Sequence, residues 1–86
     1  MSKIDFPTQA LHDLADQTIK RIQKHGDRPW TSHHQIYGVL AEEMAEVLDE
    51  VRSNDLKRMR AELLDVAVAA IWGVHSIDKN LGRENT

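Results

Sequence analysis

Apolar residues recur at three- and four-residue steps along most of the chain, and the strict alternation of a half-buried strand is absent. The pattern predicts three helices. The first runs from about Pro7 to His25, with Leu11, Leu14, Ala15, Ile19 and Ile22 on one stripe. Pro7 suits a first-turn position and Gly26 a stop. Gly26-Asp27-Arg28-Pro29 reads as a loop. The second helix runs from about His33 to Arg52, with Ser32 and Gln35 as a capping box. Its stripe is Ile36, Leu40, Met44, Val47 and Val51, with Tyr37 and Leu48 at one edge. Ser53-Asn54-Asp55 is a polar break rich in N-cap residues. The third helix runs from about Leu56 to Asp78, and the tail from Lys79 to Thr86 is polar.

The third helix carries two apolar faces. Leu63, Val66, Ala67, Ala70, Val74 and Ile77 form one; Leu64, Val68 and Ile71 form the other. So wide an apolar arc has to be covered on more than one side, and two partner helices in the same chain do not easily do this. The expected fold is therefore all-α: an antiparallel bundle of about three helices per chain, completed by assembly into a homodimer or homotetramer. Residues 1–86 read as a single domain, whose own core is thin at this size.

Composition narrows the function. There is no cysteine, so disulfides and zinc–thiolate sites are excluded. The N-terminal MSKIDFPTQALHDL lacks the apolar stretch of a secretory signal. The longest apolar run, Val66 to Val74, falls far short of the roughly 20 residues of a membrane span. The expectation is a cytoplasmic protein with no membrane partner. Fourteen acids against eleven Lys plus Arg give a net charge of −3, which argues against binding polymeric nucleic acid. A small phosphorylated ligand remains open, because a bound divalent cation reverses the local field.

The chemistry concentrates in the second helix, where Glu42, Glu43, Glu46, Asp49 and Glu50 crowd into a few positions. Glu43, Glu46 and Glu50 fall within a sector roughly 60° wide that borders the apolar stripe. A solvated acidic face is the ordinary reading of such a run. Three features oppose it. The acids form like-charge pairs at helix spacing, each costing roughly 0.2–0.5 kcal/mol. Arg52 is the only Lys or Arg between Ser32 and Leu56. The acids also flank buried surface, where unpaired charge is expensive. A hard cation with oxygen ligands would resolve all three.

The third helix supplies the complement. Glu62 and Asp65 share a face that continues through the small residues Ala69, Gly73 and Ser76, with Trp72 beside it. Glu62 has Arg58 one turn back as an ordinary partner, whereas Asp65 has alanines four residues either side. A tight turn makes the two helices antiparallel. Glu46 lies roughly eight residues before its centre and Glu62 roughly eight after, so equal rise brings them level. Glu43, Glu46, Glu62 and Asp65 can then form a four-carboxylate cage.

The stretch Glu42-Glu43-Met44-Ala45-Glu46, followed after fifteen residues by Glu62-Leu63-Leu64-Asp65, resembles the E-E-x-x-E and E-x-x-D motifs of the MazG-like all-α nucleoside triphosphate pyrophosphohydrolases. The resemblance extends from about Trp30 to Asp78, and Ser32-His33-His34-Gln35-Ile36-Tyr37 is similar to short phage- and bacterial-type members. It implies hydrolysis of a nucleoside triphosphate to monophosphate and pyrophosphate. It implies Glu43, Glu46, Glu62 and Asp65 as ligands of Mg²⁺, with Mn²⁺ as a substitute, and Glu42 as the group that orients or deprotonates the attacking water. Glu50 is a reserve ligand by helical projection alone. Arg58, Lys79 and Asn80 are candidates for the triphosphate. Trp30 and Trp72 are candidates for the base, with bundle-end packing and subunit packing as their respective alternatives; Tyr37 is expected in the core.

Histidine does not compete as a ligand type. His33 and His34 are adjacent and expected on different sides of a helix, no H-x-x-x-H occurs, and no Glu has His three residues on. Neither a P-loop nor a dinucleotide fingerprint is present. Two rivals stay open: a non-enzymatic helical dimerisation or adaptor module, and a related all-α enzyme with a dUTPase-like or phosphoribosyl-ATP pyrophosphatase-like substrate.

Overall fold

The computed structural model describes residues 4–81, and side chains through Lys79. Three helices carry the chain: α1, Thr8–His25; α2, His33–Ser53; and α3, Leu56–Ser76, which runs on into a π-helical turn, Ile77–Leu81. The ends follow from local chemistry. Pro7 caps α1, and its carbonyl accepts from the Leu11 N–H at 3.0 Å. Gly26 closes α1 at φ 83°, a left-handed angle that glycine adopts at little cost, with Lys24 and His25 in the last turn where cations suit the helix dipole. Ser32 caps α2 by accepting from His34 N–H at 3.1 Å, so the cap engages the second helical residue rather than closing the expected box with Gln35.

The α2–α3 hairpin turns on Asn54 and Asp55. Asn54 takes φ 58°, one of the few conformations in which a short polar side chain replaces glycine. Asp55 then caps α3 by accepting from Arg58 N–H at 3.0 Å. α2 packs along α3, and α1 packs against α3, which makes α3 the central helix.

The packed face of α3 differs from the one its large apolar residues suggest. Val68, Ala69, Trp72, Gly73 and Ser76 are buried, while Leu63, Val74 and Ile77 remain exposed, Val74 at 55%. Small side chains let the helices approach closely: a Cβ on Gly73 would stand 3.0 Å from Ile36 Cγ2. On α2 only Val47 is fully buried; Met44 and Val51, expected on the inner stripe, are half exposed. Tyr37, expected in the core, is 75% exposed. None of the α1 stripe is fully buried. The chain covers the side of α3 that carries Val68, Ala69, Trp72, Gly73 and Ser76, and leaves Leu63, Val74 and Ile77 of one apolar face and Ile71 of the other exposed. Among the described residues no helix is long and apolar enough to cross a membrane.

Candidate metal centre and the adjoining cleft

The hairpin brings Glu43 and Glu46 of α2 against Glu62 and Asp65 of α3. Each offers one carboxylate oxygen, and these four atoms all lie within 4.8 Å of one another. The antiparallel register expected from the turn is therefore present. Glu43 Oε2 and Glu62 Oε2 are buried without a hydrogen-bond partner among the described residues.

The electrostatics carry the cost of that arrangement. Burial, and then the charges of Glu46, Asp65 and Glu62, push the Glu43 carboxyl up to about 7. The side chain of Glu46 raises Glu62, with burial adding to it. Burial and Glu46 raise Asp65. Three of the four carboxyls thus resist ionising next to one another. Arg58 does not relieve Glu62: it turns back to Asp55, with Nε 3.8 Å from the carboxylate. Two orphaned buried oxygens within a set of four hard donors fit a divalent ion such as Mg²⁺, Mn²⁺ or Ca²⁺.

Beside the carboxylates opens a cleft of about 820 Å³. Glu43 and Asp65 form part of one wall, with Val39, Val68 and Ala69. Lys20, Arg21 and Lys24 of α1, with Arg28 and Trp30 of the following loop, form the other. The loop is tied to α3 twice. Trp72 Nε1–H donates to the Arg28 carbonyl at 3.2 Å, and Trp30 N–H donates to Ser76 Oγ at 2.8 Å.

A family model for the MazG nucleotide pyrophosphohydrolase domain matches residues 31–82 and so takes in all four carboxylates. The chain belongs to the MazG family. A curated relative, an uncharacterized protein of Archaeoglobus fulgidus, is 35% identical over 77 residues, which is 83% of this chain and 82% of that one. No solved structure matches.

The remaining expected site residues of this MazG chain fall in several places. Trp30 lines the cleft. Glu42 is exposed on α2, outside the four-carboxylate group. Glu50 also lies outside it and accepts from Ser53 Oγ at 3.0 Å. Trp72 is only 3% exposed and packs within the chain, against the Arg21 guanidinium and the Arg28 carbonyl. Lys79 lines a separate, smaller pocket with Ile22, Ile71 and Trp72. The Asn80 side chain lies outside the described residues. A second cluster of ligand-type side chains, His12, Asp13 and Asp16, sits on α1, where Asp13 pairs with Arg60 at 2.6 Å.

The sequence reading missed the basic wall. Its signal was present: Lys20, Arg21, Lys24 and Arg28 are concentrated just before Trp30 in an otherwise acidic chain. The spacing alone does not say which neighbour α1 faces.

Proposed function

We propose that this chain hydrolyses nucleoside triphosphates to the monophosphate and pyrophosphate in a magnesium-dependent reaction, acting on noncanonical or deoxynucleotides. The observation that carries the proposal is the set of four carboxylates with two orphaned buried oxygens, opening onto a cleft whose far wall is cationic. Family membership supports the same reading.

In this reading Glu43, Glu46, Glu62 and Asp65 hold Mg²⁺, for which Mn²⁺ substitutes. The ion supplies positive charge against the polyphosphate and makes water a competent nucleophile near neutral pH. Glu42, one residue before Glu43 and exposed to solvent, takes the proton of the attacking water. The water oxygen bonds to phosphorus, the anhydride between the α- and β-phosphates breaks, and its bridging oxygen leaves with the other phosphoryl group. Trp30 offers an aromatic face to the base at the cleft. The uncovered apolar face of α3 is closed by a second copy of the chain, as a homodimer or homotetramer.

The test is magnesium-dependent release of pyrophosphate from a panel of ribo- and deoxynucleoside triphosphates, with Glu46→Gln as control. Release that disappears in the control supports the enzyme. No release from any substrate, together with no heat of Mg²⁺ or Mn²⁺ binding, leaves a helical interaction module as the better account.

A further inference from the structure

Among the described residues, Arg21 is the cleft cation that stacks on aromatic rings. Its Cζ lies 4.0 Å from the ring centroid of Trp72 and 5.4 Å from that of Trp30. The Trp72 indole is itself held by its bond to the Arg28 carbonyl, and the Trp30 backbone by its N–H bond to Ser76 Oγ. Stacking of this kind satisfies the faces of a guanidinium, not the N–H groups in its plane. Those need acceptors, and Nη1 is buried without one among the described residues.

The carboxylates of the same cleft do not supply it. Among the described residues the ion pairs of arginine are Arg58 with Asp55 and Arg60 with Asp13. Arg21 and Glu43 line one cavity, and each keeps an unpaired buried atom. A cation alone would satisfy Glu43 and leave Arg21 orphaned. An anion alone would do the converse and would face four carboxylates. A polyphosphate carrying a divalent ion satisfies both walls at once.

We propose that Arg21 is the phosphate-binding residue of this site, gripping the polyphosphate of a metal-bridged nucleotide from the α1 side while the α2–α3 carboxylates hold the metal. The proposal rests on the carboxylates being a metal site that receives a polyphosphate. Arg21 lies outside the residues 31–82 that the family model matches. A planar, permanently charged fork suits this task better than lysine, because it engages two phosphate oxygens at once.

The test uses inorganic pyrophosphate with Mg²⁺ as the probe. The chain has two tryptophans, and both flank Arg21, so intrinsic fluorescence reads the site directly. Calorimetry gives the affinity in parallel. Arg21→Gln is expected to weaken pyrophosphate binding about 10- to 100-fold, the loss of charge-assisted hydrogen bonds. Mn²⁺ binding in the absence of pyrophosphate stays at the wild-type value, which a general loosening of the fold would not allow. Arg21→Lys recovers part of the affinity. A folded Arg21→Gln protein that binds pyrophosphate as wild type does would overturn the proposal, as would a wild-type protein that binds none. If Arg21→Gln fails to fold, Arg21→Lys decides: weakened binding supports the fork, undiminished binding overturns it. Arg21-dependent pyrophosphate binding without hydrolysis of any triphosphate would leave this proposal standing and remove the enzymatic one; hydrolysis and pyrophosphate binding both indifferent to Arg21 would do the reverse.

Discussion

Trp30 and Ser76, 46 residues apart, meet in a 2.8 Å hydrogen bond from the tryptophan backbone N–H to the serine hydroxyl. Ser76 is fully buried, and its hydroxyl donates to the Trp72 carbonyl at 2.7 Å. One hydroxyl thus joins the loop after α1 to the last turn of α3, and sets Trp30 on its side of Arg21.

Ser76→Ala removes the acceptor and leaves the Trp30 N–H unsatisfied in a part-buried place. An orphaned group of this kind costs about 1–3 kcal/mol, and each kcal/mol lowers the melting temperature of a domain this size by about 4–8 °C. Thermal unfolding followed by circular dichroism reads the loss. An unchanged midpoint would mean that the loop is held elsewhere.

The carboxylate group makes the metal-free protein sensitive to pH. Glu43 has its ordinary value near 4.5 in the unfolded chain and about 7 in the fold, so between these values the folded state holds the proton more tightly. Its stabilising contribution is complete below about 4.5 and is lost as pH rises through 7. Glu62 and Asp65 are raised too and act in the same sense. Glu43 is only half buried, so after allowing for solvent screening the swing is about 1 kcal/mol. The prediction is a metal-free melting temperature lower at pH 8 than at pH 5, with Mg²⁺ restoring it at pH 8. Metal binding near pH 6 should also release protons, measurable as a dependence of the binding heat on buffer. A flat profile with and without metal would count against the four-carboxylate account.

Glu46 touches the electrostatics of all its neighbours, since it raises Glu43, Glu62 and Asp65 alike. Glu46→Gln removes one charge from the group. The metal-free variant should be more stable than wild type at pH 8, by several tenths of a kcal/mol or more, and should bind Mn²⁺ more weakly. Stability and function then move in opposite directions, the pattern of a site kept against the interest of the fold. A variant that loses stability and keeps metal affinity would contradict it.

Part of this arrangement was legible in the chain alone. The register of Glu46 against Glu62 follows from a short turn and equal helical rise, and both are local properties. The helix ends follow from Gly26, Ser32, Asn54 and Asp55 for the same reason. What periodicity does not contain is which face a neighbour covers. Leu63, Val74 and Ile77 share a face, yet α3 packs through Ala69, Gly73 and Ser76, because small residues permit the closer approach to Ile36. Tyr37 reads as core by its position at the stripe edge and projects outward instead. Arg21 is an ordinary helical arginine until α1 docks on α3 and slides two indoles beside it. Its role is a product of tertiary contact, and no spacing within α1 announces it.

Gly73 tests the close packing of α2 on α3. A methyl there would stand 3.0 Å from Ile36 Cγ2, inside the usual contact distance. Alanine gains about 1 kcal/mol of helix propensity over glycine, and overpacking costs about 1–3 kcal/mol. Gly73→Ala should therefore be neutral to mildly destabilising, and Ile36→Ala in the same chain should recover more than the two single changes add up to. Urea denaturation of the four proteins closes the cycle. Strict additivity would show that the helices separate to accept the methyl.

The outward face of α3 bears on assembly. Leu63, Val74 and Ile77 are each about half exposed and lie along one side of a helix, with Val74 and Ile77 close together near its end. A contiguous apolar strip of this kind on a chain with so thin a core is what a second copy covers in the proposed oligomer. Val74→Glu places a charge on this strip, where burial without a partner is costly on association and free in the monomer. Sedimentation equilibrium should show the wild-type chain as a dimer or larger and the variant shifted toward monomer, with the helix content of the separated chain retained. A wild-type protein that sediments as a monomer, or a variant that assembles as tightly as wild type, would move the contact to another surface. The half-exposed Met44 and Val51 of α2 would then be the next to examine.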